Sequence, residues 1–273
     1  MKISATSSLV LNWSDRNLWQ SQETLDYNAQ LDLTEGEPLF KLFSEEETFM
    51  HMQAVSGRKY FMKKKVSGYL QELSKEEKSG QVIILAAGLA PLSVEIASLF
   101  PTCRVFDVDK YLMDDKKELI NGNPSNIEFI GCDITDLDLL SSKLLTHNFK
   151  MDNPSIAVME GIIYYIPKES LKNILHFLKK NNFAFVGDFC LKPELVNEKT
   201  QFYLTDVFRK IKDEVQLDFI NFYSVEEITD FLKEAGYENV SVLNMQQIQE
   251  ERVGDKNPFL DNNSCWVMNI YAE

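Results

Sequence analysis

The chain has 273 residues, 44% hydrophobic and 26% charged, with a formal net charge of -14 and a pI near 4.8. That length permits a large core in one elaborated domain or a domain with a small cap, while the acidity argues against electrostatic capture of nucleic acid or an anionic membrane, which needs clustered Lys and Arg. No apolar run approaches the ~20 residues that span a bilayer, and "MKISATSSLVLNW" is too polar for a secretory signal, so the expected location is the cytoplasm.

The first 80 residues read as amphipathic helices: "EPLFKLFSEEETFMHMQAV" and "KYFMKKKVSGYLQEL" repeat apolar positions at three- and four-residue intervals. The basic run Met62 to Lys65 reads as a solvated helix face. Residues 1–80, ending at Gly80, are expected to form a helical lid on a domain of residues 81–273. "QVIILAA" (Gln81 to Ala87) is a continuous apolar strand of the kind buried on both faces of a parallel sheet. A helix, "PLSVEIASLF", follows with Pro91 in its first turn. "CRVFDVD" (Cys103 to Asp109), "NIEFIGCDIT", "PSIAVMEG" and "FAFVGDF" (Phe183 to Phe189) continue the strands with helices between them, which implies right-handed crossovers and a parallel sheet. A helical insertion over residues 190–223 breaks the rhythm. After it, Ser224 and Glu227 form a capping box for a helix closed by Gly236. "NVSVLNM" and "SCWVMNIYA" then read as an antiparallel edge pair.

The four cysteines, Cys103, Cys132, Cys190 and Cys265, show no paired spacing, and the three histidines, His51, His147 and His176, fit no zinc pattern. Reduced thiols and no metal are expected. In an open α/β sheet the ligand lies beyond the carboxyl ends of the strands, which makes the turn from Ala86 to Leu89 the default site. It reads A-A-G-L-A-P, without the glycines that crowd against pyrophosphate or the GK[ST] of a P-loop. Asp109 ends the second strand 21 residues after Gly88, where a carboxylate takes a ribose diol. Ribose and adenine without phosphate describe S-adenosylmethionine. Asp133 ends the third strand, where it either accepts the adenine amino group, with Cys132 or Ile134 on the ring, or caps the next helix. Glu160 and Gly161 end the fourth strand, facing the methionyl part. A sulfonium favours carboxylate or aromatic neighbours such as Tyr164.

"QVIILAAGLAPLS", "RVFDVDKYLMDDKKELI" and "PSIAVMEGIIYYIPKESLKNIL" resemble the leucine carboxyl methyltransferase family of class I S-adenosylmethionine-dependent methyltransferases. The family pattern is a glycine turn, an E-x-D segment with a lysine several residues on, and E-G-x-x-x-Y before a helix. Here these are Gly88, Asp107 to Asp109 with Lys116 or Lys117, and Glu160 to Tyr165. The resemblance implies an α/β, Rossmann-like sheet, mostly parallel with an antiparallel C-terminal edge pair. It also implies that Gly88 lies against the cofactor, that Asp109, or else Asp107, holds the ribose, and that Arg58 pairs with the cofactor carboxylate. The sequence departs from the family's LGAGLDTR segment, with Ala86 in place of the first glycine and Ala90-Pro91-Leu92 in place of Asp-Thr-Arg.

Methyl transfer from a sulfonium needs alignment and exclusion of water more than proton bookkeeping. The expectation is an O-methyltransferase acting on a carboxylate or hydroxyl of a small molecule or peptide. Tyr164, Tyr165 and Tyr203, with Phe202 and Phe208, are candidates for the substrate wall. A lapsed fold that binds without transferring methyl is the alternative.

Overall fold

The computed structural model describes residues 5–215 and 220–273. Three short helices, α1 (Ala5–Asn12), α2 (Gln22–Ala29) and α3 (Glu37–Phe40), precede the 31-residue α4 (Glu45–Lys75). The two amphipathic stretches read from the sequence thus join, except that residues 37–40 stay separate. Ser44 starts α4 with a reciprocal capping box to Glu47, and three glutamates complement the positive end of its dipole. The buried face runs through His51, Ala54, Arg58, Phe61, Met62, Val66 and Leu70.

The sheet strands are β1 (Gln81–Leu85), β2 (Arg104–Asp109), β3 (Ile127–Gly131), β4 (Ser155–Met159), β5 (Phe183–Cys190), β6 (Val240–Asn244) and β7 (Val267–Ala272). Their order is β3-β2-β1-β4-β5-β7-β6, with β7 antiparallel to both neighbours. The helices α5 (Leu92–Leu99), α6 (Met113–Ile120), α7 (Leu137–Thr146) and α8 (Lys168–Lys180) connect the parallel strands; α9 (Glu198–Val215) and α10 (Val225–Ala235) follow β5. α10 carries the capping box expected at Ser224 and Glu227, and Gly236 ends it in the left-handed conformation. The helix α11 (Met245–Val253), between β6 and β7, is not signalled by an apolar period; it starts at an Asn244–Gln247 capping box and packs on α4.

β1, β4 and β5 are buried along their whole lengths, which is why they read as unbroken apolar runs. Each such Val, Ile or Leu contributes roughly 1.5–3 kcal/mol relative to exposure. All four cysteines are buried free thiols, and among the described residues no helix is long and apolar enough to cross a membrane.

One charged reading is corrected. Lys63 is not solvated: its Nζ lies 2.5 Å from Glu95, a fully buried carboxylate on α5, and donates to the Leu18 carbonyl. Glu95 also accepts the backbone N–H groups of Gln20 and Ser21. Burial raises the Glu95 pKa, but Lys63 and these N–H groups hold it below its ordinary value. This carboxylate ties α2 and α4 to the sheet layer.

Candidate active site

Parallel register brings the carboxyl ends of β1, β2 and β4 side by side, with Ile84 opposite both Asp107 and Val158. The turn after β1 begins with Ala86 at φ 56° and contains Gly88 at φ 49°. Ala86 keeps the left-handed conformation that the family's first glycine adopts freely, at a cost of about 1–2 kcal/mol. Three contacts from outside the turn fix it. Asp109 Oδ2 accepts the Gly88 N–H at 3.0 Å and Tyr27 Oη donates to the Leu89 carbonyl at 2.9 Å. Lys116 Nζ donates to the Ala90 carbonyl at 2.7 Å and pairs with Asp107 at the same distance. The Ala-Pro-Leu sequence that replaces Asp-Thr-Arg is therefore anchored by Lys116 through its backbone.

Asp107 does not reach the cavity. It is fully buried beneath the turn, held by Lys116 and by the Ser93 hydroxyl at 2.6 Å. Of the two aspartates expected near a ribose, Asp109 is the partly exposed one, and its other oxygen accepts the Tyr111 N–H. Two hydrogen bonds leave this carboxylate half its acceptor capacity.

A cavity of about 250 Å³ opens beside the turn, walled by Ala86 to Ala90, Arg58, Lys59, Glu160, Gly161, Tyr164 and Tyr165. Thr6, Ser7, Val10 and Leu11 of α1 and Ile211 of α9 cover it. Three charged residues, Arg58, Lys59 and Glu160, line its floor, and buried Asp188 completes their cluster from behind. The Arg58 guanidinium lies 3.2 Å from Glu160 and 3.5 Å from Asp188, and Lys59 Nζ is 2.7 Å from Glu160. Arg58 also rests on Gly161, where an added Cβ would come within 3.2 Å of the guanidinium. Gly161, at φ 69°, donates its N–H to Asp188 Oδ1 at 2.7 Å. Only glycine meets both demands without strain.

The quartet sets its own protonation. Burial pushes Glu160 up, but Lys59 and Arg58 outweigh it and hold the carboxyl below its ordinary value. Burial drives Asp188 up to about 6, only partly offset by Arg58 and the Gly161 N–H. Lys59 is lowered by burial despite its carboxylate partner. Arg58 Nε and Glu160 Oε2 remain buried without hydrogen-bond partners, so the cluster retains unmet polar capacity toward a ligand.

Arg58, Ala86, Gly88, Glu160, Gly161, Tyr164 and Tyr165 thus converge on one cavity. Cys132, Asp133 and Ile134 lie outside it, next to Asp109 across the β2–β3 register. Asp133 does not cap α7; it turns back onto Thr135 and meets Lys110 at 3.1 Å, while Asp136 makes the cap. Tyr203 packs edge-on toward His51, and Phe202 is exposed. The sequence reading missed Lys59 and Asp188. An acid inside the apolar "FAFVGDF" was a usable signal for Asp188; Lys59 looks like any surface lysine.

A parallel sheet of order 3-2-1-4-5-7-6 with its penultimate strand reversed, bearing a glycine turn after β1 and an acid after β2, defines a class I methyltransferase fold. The family model for leucine carboxyl methyltransferase matches residues 20–179, more than half of the 273. The chain belongs to that family. Comparison with curated protein sequences finds no match. Among solved structures, the fold is similar to that of a Thermobifida fusca YX protein assigned to the methyltransferases, with TM-score 0.60 and 11% identity, covering 94% of this chain and 96% of that one. Magnesium protoporphyrin IX methyltransferase of Synechocystis PCC 6803 with bound SAH gives TM-score 0.48 and 11% identity over 82% and 87% of the two chains. Human N-acetylserotonin methyltransferase in complex with SAM gives 0.42 and 13% over 71% and 47%.

Proposed function

We propose that the chain binds S-adenosylmethionine across the carboxyl ends of β1 to β4 and transfers its methyl group to an oxygen, carboxylate or hydroxyl, of a small molecule or peptide. The observation that carries this is that the Ala86 to Ala90 turn shares one cavity with Arg58, Lys59 and Glu160, which Asp188 backs. At about 250 Å³ it falls below the ~300–1,000 Å³ of common ligand pockets. That size suits the methionyl half beside a small acceptor body, with the adenosyl half outside it.

The residues fit the cofactor. An ideal Cβ on Gly88 would meet nothing within 4 Å, leaving room for a ligand against the turn. Arg58, with Nε unpartnered, would take the cofactor carboxylate, Asp109 the ribose diol, and Asp133 the adenine amino group beside Cys132 and Ile134. When bound, the cofactor supplies an electrophilic methyl whose bonding pair to sulfur stays on sulfur as the new bond to oxygen forms; a hydroxyl acceptor also gives up its proton, to solvent or a neighbouring side chain, which a carboxylate need not. The chain's contribution is alignment and dryness: α1 and Ile211 act as a lid, and Tyr164 and Tyr165 form the acceptor wall.

Calorimetric titration with S-adenosylmethionine and S-adenosylhomocysteine tests this. Wild type should bind both, and Asp109→Ala combined with Gly88→Arg should lose them; no binding by wild type, or unchanged binding by the variant, overturns the reading. Binding without turnover on any oxygen acceptor would leave the lapsed, binding-only alternative.

A further inference from the structure

Behind the main cavity lies an inner chamber of about 60 Å³, which shares Arg58, Tyr164 and Tyr165 with it and continues to Trp13, His51 and Trp266. Among the described residues lining the two spaces, the cations are Arg58 and Lys59, already balanced by Glu160 and Asp188. A carboxylate seated in the inner chamber would add a buried anion beside Arg58, which is already paired with Glu160 and Asp188 and assigned to the cofactor carboxylate, at a cost of several kcal/mol.

The chamber wall has a different polarity. Trp13 and His51 stack at 4.6 Å, with Trp266 edge-on to the imidazole at 4.9 Å. Both residues are almost completely buried, and Trp13 Nε1 and His51 Nε2 have no hydrogen-bond partner among the described residues. Burial, aided by the nearby Lys210 and opposed by Asp206, lowers His51 to about 3, so the ring is neutral. The other histidines are engaged elsewhere, His147 with Glu128 and His176 with the Lys172 carbonyl. An indole N–H only donates, whereas a neutral imidazole pairs one donor with one acceptor nitrogen. A hydroxyl accepts from the indole N–H and, where His51 Nε2 carries no proton, also donates to that nitrogen; a carboxylate can only accept.

Resting on the methyltransferase reading above, we infer that the acceptor is a neutral hydroxyl compound with an aromatic or apolar body, and that Trp13 and His51 bind it at the inner chamber. With room for about two waters, the chamber takes the polar edge of the acceptor while its body lies in the main cavity.

The test uses p-cresol and its acid counterpart 4-methylbenzoate as probes, titrated at pH 7.5 by ligand-observed NMR with S-adenosylhomocysteine present. The cresol should bind at least tenfold tighter than the acid. Trp13→Phe, which removes the N–H donor and shrinks the ring, and His51→Phe, which removes both nitrogens but keeps an aromatic ring, should each weaken it about three- to tenfold without altering S-adenosylhomocysteine affinity. Equal or tighter binding of the acid, binding of neither probe, or cresol binding unchanged in both variants overturns the inference. Failure of S-adenosylhomocysteine itself to bind overturns the cofactor reading beneath it, a separate outcome from these.

Discussion

Lys116→Met is the substitution that most directly tests how the turn after β1 is held. Lys116 and Asp107 are both fully buried, 2.7 Å apart, and the same ammonium serves the Ala90 carbonyl. Methionine matches the length of the lysine stem, so packing is nearly kept, while Asp107 is left with the Ser93 hydroxyl as its remaining donor. Removing one member of a buried pair costs about 3–5 kcal/mol, and at roughly 2–4 °C per kcal/mol for a chain of this size Tm should fall by about 10 °C. Thermal unfolding followed by circular dichroism measures it. Adding Asp107→Asn removes the stranded charge, and the double variant should recover more than half of the loss. A Tm change under about 2 °C, or a double variant no more stable than Lys116→Met, would refute the assignment of this pair as the anchor of the turn.

Ala86→Gly should relieve the left-handed strain at φ 56° and raise stability by about 0.5–1 kcal/mol, read as a higher urea midpoint at unchanged m-value; a lower midpoint contradicts it. Glu95→Ala strands Lys63 and the Gln20 and Ser21 N–H groups, and limited proteolysis should then cut within residues 12–43 at least tenfold faster while the strands stay protected. Asp188 gives a pH signature. Its folded pKa is raised from 3.8 to about 6, so the native state binds more protons than the unfolded one between those values, and stability from this group falls as pH rises through that window. Asp188→Asn removes the titration, and the difference in stability should move in the variant's favour by on the order of 2 kcal/mol from pH 4 to pH 7. A pH-independent difference would show that Asp188 is already ionised at pH 4.

The strand ends were legible in the sequence because each carries a feature that an apolar strand lacks. Glu160–Gly161, Asp109 and Gly88 interrupt apolar runs at places where a parallel sheet aligns them. The quartet was half legible. Arg58 was found through a family pattern, whereas Lys59 sits among helical lysines whose destinations differ: Lys59 is buried on Glu160, Lys63 on Glu95, and Lys64 pairs at the surface with Glu251. Periodicity gives a helix its faces, but which lysine meets a carboxylate depends on elements far away in sequence. The choice between Asp107 and Asp109 was likewise open, since positions two apart on a strand point to the same face; what separates them is that Lys116 and Ser93 enclose Asp107 while Asp109, at the strand's end, stays partly exposed.

By itself, the sequence determined the alternation of strand and helix, the reversed edge pair and the carboxyl-end position of the site. Apolar runs, caps and left-handed turn residues act over a few residues and need no partner. Only the tertiary structure decided that Lys116 anchors the turn through the Ala90 carbonyl, that Arg58 and Lys59 are already balanced by Glu160 and Asp188, and that α1 lines the cavity. The Lys116–Asp107 pair spans nine residues, but Lys116 to Ala90 spans 26 and Arg58 to Asp188 130. Their energies come from shared burial, which exists only once the chain has folded.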